Sequence, residues 1–267
     1  MARQRLVVVG GNAAGMSAAS QVRRLRKDMD IVVFERGPHT SYAACGIPSY
    51  IGGLVADDRR LIARSPREFQ EEHDIDARVL TEVEALDLDR RTVRFRSVPT
   101  GEPGELSFDA LLLATGTEPI LPDVPGKENR GIFIVNTLEN ALRLKRFLEE
   151  TRPRRAVVVG SGYIGLEMAE ALRCHLEMEV TVVERAPQVM KTLDPDMADS
   201  VAKALEKAGI RLFLGESLTG FELEGTRVGA VVTNRRILHT DLVILALGVL
   251  PNSKLAAEAG IPLGVQG

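Results

Sequence analysis

Cysteine is scarce in this chain: two in 267 residues, Cys45 and Cys174, standing 129 positions apart. Two isolated thiols do not make the disulfide framework of a small secreted domain. Long apolar runs are absent too. The longest, Leu242 to Leu250, has nine residues and includes Gly248, against about 20 for a membrane-spanning helix. Near the N-terminus, Leu6-Val7-Val8-Val9 meets glycine too soon to form the apolar stretch of a secretory signal. Basic charge is not in excess: 34 Lys and Arg stand against 37 Asp and Glu, a net charge of −3. Phosphate-backbone binding draws on a basic surface, and the arginine pairs Arg23-Arg24, Arg59-Arg60 and Arg90-Arg91 are scattered. These absences predict a soluble, cytoplasmic protein with no nucleic-acid or membrane partner. No metal site is expected either.

What is present is a repeat. Residues 5–35 run from Arg-Leu-Val-Val-Val through a glycine turn and a helix-period segment to Ile-Val-Val-Phe-Glu. Residues 155–184 follow the same plan and also end in glutamate. The last turn glycine precedes that glutamate by 20 positions in the first copy (Gly15 to Glu35) and by 19 in the second (Gly165 to Glu184). Uninterrupted β-branched strands imply burial on both faces, hence a parallel sheet, and strand–helix–strand order implies a right-handed crossover. The likeness continues downstream. Val79–Phe95 shows β-rich runs around Asp89-Arg90-Arg91, then Phe108 to Gly116; Ile210–Val232 shows them around Glu224-Gly225, then Asp241 to Gly248. The fold class predicted is α/β: two tandem Rossmann-like dinucleotide-binding domains.

Each turn residue has a task. Gly10 and Gly160 permit the tight turn out of the strand, and Gly15 and Gly165 let helix and strand pack closely. Gly162 lets backbone approach a pyrophosphate; the first copy has Asn12 there, so its approach must differ. The free N–H groups of a helix N-terminus face the phosphates, which makes Gly11, Asn12, Ala13, Ala14 and Ile164 candidate contacts. Glu35 and Glu184 would accept from ribose hydroxyls. Glu184 would also repel a 2′-phosphate, favouring NADH over NADPH, with Arg185 beside it as a partial counterweight. Between the copies, proline-rich Glu118–Gly126 reads as a linker, and Thr137 as the N-cap of a helix reaching Glu150. After Gly248 no strand or helix is expected to close the chain.

Two dinucleotide units, Ala114-Thr115-Gly116 and Gly248-Val-Leu-Pro-Asn252 together resemble the FAD- and NAD(P)H-dependent disulfide reductase superfamily over the whole chain. Ser41-Tyr-Ala-Ala-Cys45-Gly-Ile-Pro48 resembles its single-cysteine branch, which includes coenzyme A disulfide reductase, NADH peroxidase and NADH oxidase. The resemblance implies that residues 1–117 are the first part of an FAD-binding domain and 118–246 an NAD(P)H-binding domain. Residues 247–267 would begin a return to a discontinuous FAD domain that is incomplete at its C-terminal end, with the interface domain absent. It implies FAD and NADH as cofactors, NADPH being the alternative, and adds Arg36, Val83, Ala114, Thr115, Gly116, Glu167 and Gly248 to the cofactor-binding positions, with Tyr163 on the nicotinamide side of the flavin and Glu167 near the same junction. Cys45 would cycle between thiolate and a mixed disulfide, with coenzyme A disulfide or a related disulfide or persulfide as substrate. Ser17, Gln21, Arg24 and Ser41 would contact it, and a full-length chain would be a homodimer. Ala13 occupies a position that carries histidine in the peroxidases and water-forming oxidases of the family, which favours the reductase over an oxidase or peroxidase. Ala44 and His73 depart from the pattern, standing where asparagine and lysine are found. The other reading is a non-catalytic nucleotide-binding fragment. Cys174 and His175 are expected to be packing or surface residues.

Overall fold

The computed structural model describes residues 3–265. The chain forms two compact units: one from the residues up to Ala43, Arg59–Glu118 and Leu250 onward, the other from Ala44–Asp58 and Pro119–Val249. Both are discontinuous in sequence. Two boundaries differ from the sequence reading. Ala44–Asp58, expected within 1–117, belongs to the second unit, and the return begins at Leu250 rather than 247. The last two residues of the expected return lie outside the described residues.

The first unit is built on a four-stranded parallel sheet in the order Asp76–Arg78, Asp30–Phe34, Arg5–Val9, Ala110–Leu113. Its strands are apolar at consecutive positions because both faces are covered. Leu6, Val8, Ile31 and Val33 pack with Met16 and Ala19 of the helix Ala13–Leu25, and with Phe69 of the helix Pro66–His73. The alternate residues Val7, Val9, Val32 and Phe34 pack with Val93 and Phe108. Val93 belongs to an antiparallel sheet, Thr81–Asp87, Thr92–Ser97 and Pro103–Ser107. Each such valine or phenylalanine contributes about 1.5–3 kcal/mol of burial, so this two-sided core fixes the strand ends that carry the site.

The second unit repeats the plan with five parallel strands, ordered Arg211–Leu214, Glu179–Glu184, Arg155–Val159, Leu242–Leu245, Ile132–Ile134. It carries its own antiparallel sheet, Leu218–Glu224, Arg227–Thr233 and Ile237–His239. The helix Leu138–Thr151 begins where the sequence indicates: the Thr137 side chain accepts from the Asn140 N–H, and Leu138, Ala141, Leu144 and Leu148 form its buried stripe. The helix Tyr163–Glu170 widens into a π-turn at Ala171–His175.

The segment after Gly248 corrects an expectation. It forms a strand, Val249–Pro251, and a short helix, Lys254–Glu258. Five residues carry too little periodicity to show in sequence; the helix is held instead by Leu255, which packs against the core of the first unit. No helix among the described residues is long and apolar enough to cross a membrane.

Candidate functional site

In each unit one strand, Arg5–Val9 or Arg155–Val159, is followed by a glycine whose backbone only glycine adopts without strain. Gly10 has φ +109° and Gly160 φ +106°. A side chain at either would collide with backbone: a Cβ would lie 2.0 Å from the Ala114 carbonyl oxygen at Gly10, and 2.2 Å from that of Ala246 at Gly160. The third glycine is bound as closely, with a Cβ 1.8 Å from the Gly10 oxygen at Gly15 and 2.1 Å from the Gly160 oxygen at Gly165. The helices therefore start tight against the sheet, at Ala13 and Tyr163. Their first-turn N–H groups have no carbonyl in the preceding turn and carry partial positive charge. A Cβ at Gly162 would meet nothing within 4 Å, so this position is open to an approaching ligand. Its counterpart Asn12 instead accepts from the Tyr42 N–H at 3.1 Å through Oδ1, so this side chain is tied to the segment before Cys45.

The two glutamates sit alike. Glu35 Oε2 accepts from the Gly11 N–H at 2.8 Å and Oε1 from the Gly37 N–H at 2.7 Å. Glu184 Oε2 accepts from the Ser161 N–H at 2.8 Å and Oε1 from the Ala186 N–H at 2.8 Å. Both carboxylates are thus pinned beside the glycine turn, at the carboxyl ends of parallel strands, where open α/β sheets bind ligands.

In the first unit a cleft of about 520 Å³ opens at these strand ends. Gly10, Glu35, Arg36, Val83 and Thr115 all line it, so five residues named from sequence converge. Arg36 is exposed and pairs with Glu82 at 3.5 Å. Asn252, Ser253 and Lys254 also line the cleft and were not named as site residues. Asn252 is latched to the Ala-Thr-Gly segment three times. Its Nδ2 donates to the Thr115 oxygen at 2.8 Å, its N–H to the Gly116 oxygen at 3.0 Å, and its oxygen accepts from Thr115 Oγ1 at 2.7 Å. The signal for it was the final position of the Gly248–Asn252 motif.

Cys45 is exposed on a single 3₁₀ turn, Ala44–Gly46, which leads into the helix Ile47–Ile51. That helix is seated within the second unit. Lys145 Nζ donates to the Tyr50 and Ile51 oxygens at 3.3 and 3.2 Å and stands 5.6 Å from the Tyr50 ring centre. Burial raises the Tyr50 phenol above its ordinary value, and Asp58, Glu149 and Asp57 add to the effect, so it stays protonated. Gly52 faces the His175 ring, where a Cβ would come within 3.1 Å.

Ser17, Gln21 and Arg24 lie on one exposed face of the first helix, at i, i+4 and i+7, and Arg24 donates to Gln21. Ser41 is half-buried with φ +50°, its N–H bound to the Gly11 oxygen at 3.0 Å. Tyr163, Ile164, Glu167 and Gly248 are exposed in the second unit, whereas Ala13 and Ala14 are exposed and Ala114 half-buried in the first. Cys174 and His175 are exposed. His73 leans on Phe69, ring centres 6.0 Å apart, with a buried Nε2.

A family model described as pyridine nucleotide-disulphide oxidoreductase matches residues 4–267. An NADH oxidase of Methanocaldococcus jannaschii is 39% identical over 265 residues, covering 97% of this chain and 58% of the relative. An NAD(P)H coenzyme A polysulfide/persulfide reductase of Pyrococcus horikoshii is 35% identical over 266 residues, covering 99% and 58%. The crystal structure of reduced Bacillus anthracis CoADR-RHD superposes with a TM-score of 0.95 at 36% identity, covering 100% of this chain and 48% of that one. The chain therefore spans 58% of the length of these two curated relatives.

Proposed function

Because the chain belongs to the pyridine nucleotide-disulphide oxidoreductase family, we propose that it carries the two nucleotide units and the redox thiol of an NADH-dependent flavoprotein reductase acting on coenzyme A disulfide or a related disulfide or persulfide. The first unit takes FAD and the second takes NADH. The observation that carries this reading is the pairing of two near-identical carboxylate-and-glycine cradles with one exposed thiol on a short turn. In keeping with it, the first cradle opens on a cleft lined by Glu35, Thr115 and Asn252, and the Gly10–Gly15 turn leaves backbone N–H groups for a pyrophosphate. The Pyrococcus relative's coenzyme A polysulfide and persulfide chemistry supports the substrate class. The same reading takes the whole protein to be a cytoplasmic homodimer.

A flavin supplies the hydride acceptor for reduced nicotinamide and the electron pair that reaches sulfur. The chain's own residues bind, orient and attack. Glu35 and Glu184 accept from ribose hydroxyls. The Glu184 charge opposes a 2′-phosphate, while exposed Arg185 beside it softens the preference for NADH. Tyr163 and Glu167, exposed at the start of the second unit's helix, face the nicotinamide end. The Cys45 thiolate attacks one sulfur of the substrate disulfide; a Cys45–S–S–R bond forms, the substrate S–S bond breaks, and one thiolate leaves. Small neighbours Ala43, Ala44 and Gly46 give a bulky substrate access to the sulfur, and Ser17, Gln21, Arg24 and Ser41 contact it. Ala13 brings no proton donor to the first glycine turn, so reduction of a peroxide there lacks an acid.

Cys45→Ser in the FAD-loaded whole protein tests the proposal. NADH binding and bleaching of the flavin by NADH are expected to persist, while turnover of coenzyme A disulfide falls by orders of magnitude because the covalent route is gone. Disulfide turnover at the wild-type rate in Cys45→Ser would overturn it.

A further inference from the structure

The two carboxylates differ in one donor. Ser161, the second residue of the second glycine turn, is 1% exposed. Its hydroxyl donates to Glu184 Oε2 at 2.9 Å, the same oxygen that accepts its N–H at 2.8 Å. With the Ala186 N–H on Oε1 at 2.8 Å, Glu184 receives three hydrogen bonds. A carboxylate offers about four acceptor sites, two on each oxygen. On Glu184 both sites of Oε2 are therefore filled, and one site remains, on Oε1. Glu35 receives two bonds, one on each oxygen, from Gly11 and Gly37. One site is left open on each of its oxygens.

The difference is built into the turns. At Gly11 a Cβ would lie 2.7 Å from Glu35 Cβ and 3.1 Å from Thr40 Cγ2, so the first unit has no room for a serine. The second unit has that room and fills it with a buried hydroxyl whose partner is the carboxylate. A buried hydroxyl gains nothing by leaving that partner, since an unmatched polar group in the interior is costly.

We infer that Ser161 is a specificity-determining residue: it limits Glu184 to one hydroxyl of the adenosine ribose, while Glu35 can accept both hydroxyls of a vicinal diol. The inference rests on the reading of the second unit as the NADH unit. Ser161 is buried and its side chain bonds the carboxylate, so its effect is on which hydroxyl is read, not on whether the nucleotide enters.

The test is equilibrium titration of the full chain with NADH and with its analogues lacking the 2′- or the 3′-hydroxyl of the adenosine ribose. In the wild-type protein, one analogue is expected to bind about tenfold or more weakly, as for a lost bond to a charged acceptor, and the other within about threefold of NADH. In Ser161→Ala the freed site on Oε2 lets the second hydroxyl bind, so both analogues are weakened by similar factors. Ser161→Gly, which copies the turn of the first unit, is expected to match it. Equal weakening of both analogues in the wild type, or the wild-type asymmetry persisting in both variants, overturns the inference. Absence of NADH binding altogether overturns the assignment of the unit itself, and shows with NADH alone.

Discussion

The first and second units share a backbone frame almost bond for bond, and they part at the side chains that line the turn. Gly10 N–H reaches the Phe34 oxygen at 2.8 Å, and Gly160 N–H reaches the Val183 oxygen at 2.8 Å. Ser41 and Met190, both in the left-handed region at φ +50° and +45°, donate to the second residue of their respective turns at 3.0 Å. Thr81 and Glu216 donate to the backbone oxygens of Glu35 and Glu184 at 2.9 and 3.0 Å. Against that frame, the first unit has Gly11 and Asn12 where the second has Ser161 and Gly162. At Gly10, Gly15, Gly160 and Gly165 close backbone packing sets the frame and leaves no room for a side chain. The positions that differ lie beside the carboxylate and the helix start: Ser161 bonds Glu184, Gly162 leaves open space, and Asn12 bonds the Tyr42 N–H.

Adding a methyl group to each type of position should separate frame from ligand surface most strongly. Gly10→Ala and Gly160→Ala place a Cβ within 2.0 and 2.2 Å of a backbone oxygen, at backbone angles L-residues rarely adopt. Each is expected to cost about 3 kcal/mol or more in chemical denaturation. Gly162→Ala meets nothing within 4 Å, so its stability should stay within about 1 kcal/mol while its NADH affinity drops. Equal destabilisation by all three would erase the distinction.

A smaller effect should mark the opposite ends of the same strands. Asp241 accepts from the Arg154 and Arg155 N–H groups and from the Arg155 guanidinium; Asp109, its counterpart, accepts from the Arg5 N–H. Burial alone would raise the Asp241 carboxyl, but the Arg155 side chain and the two backbone donors outweigh it and hold it below its ordinary 3.8. A depressed carboxyl stabilises the fold above its unfolded value, and that stability is lost as pH falls through the lower folded value. Asp241→Asn should therefore destabilise at pH 7 by roughly 1 kcal/mol or less, the pair being partly open to solvent. The gap to wild type should close as pH drops below 3.8. Denaturation series from about pH 7 down to about pH 2.5 check this, with Asp109→Asn expected to show the smaller gap.

The frame was legible in the sequence because each of its parts leaves a local mark. Glycine spacing gives the turns, apolar runs give the two-sided strands, and Thr137 marks a helix start through a bond only three residues long. What was not legible depends on partners distant in the chain. Nothing near Cys45 signals that Ala44–Asp58 belongs with the second unit; Lys145, some hundred positions on, holds it there. The helix Lys254–Glu258 is defined by Leu255 reaching a core formed by residues 7–113. Asn252 ends the Gly248–Asn252 motif, yet its role as a latch on Thr115 needs the fold to bring them together. Ser161 carries no mark of its own in the sequence; its burial and its bond to Glu184 come only with the fold.

The assignment of two different dinucleotides to two frames of one design underlies every other role of the two units. It is tested most directly by titrating the chain with FAD and with NADH in Glu35→Ala and Glu184→Ala variants. Glu35→Ala is expected to weaken FAD by about tenfold or more and leave NADH within about twofold, and Glu184→Ala to do the reverse. Loss of the same nucleotide in both variants, or a crossed pattern in which Glu35→Ala weakens NADH, would contradict it.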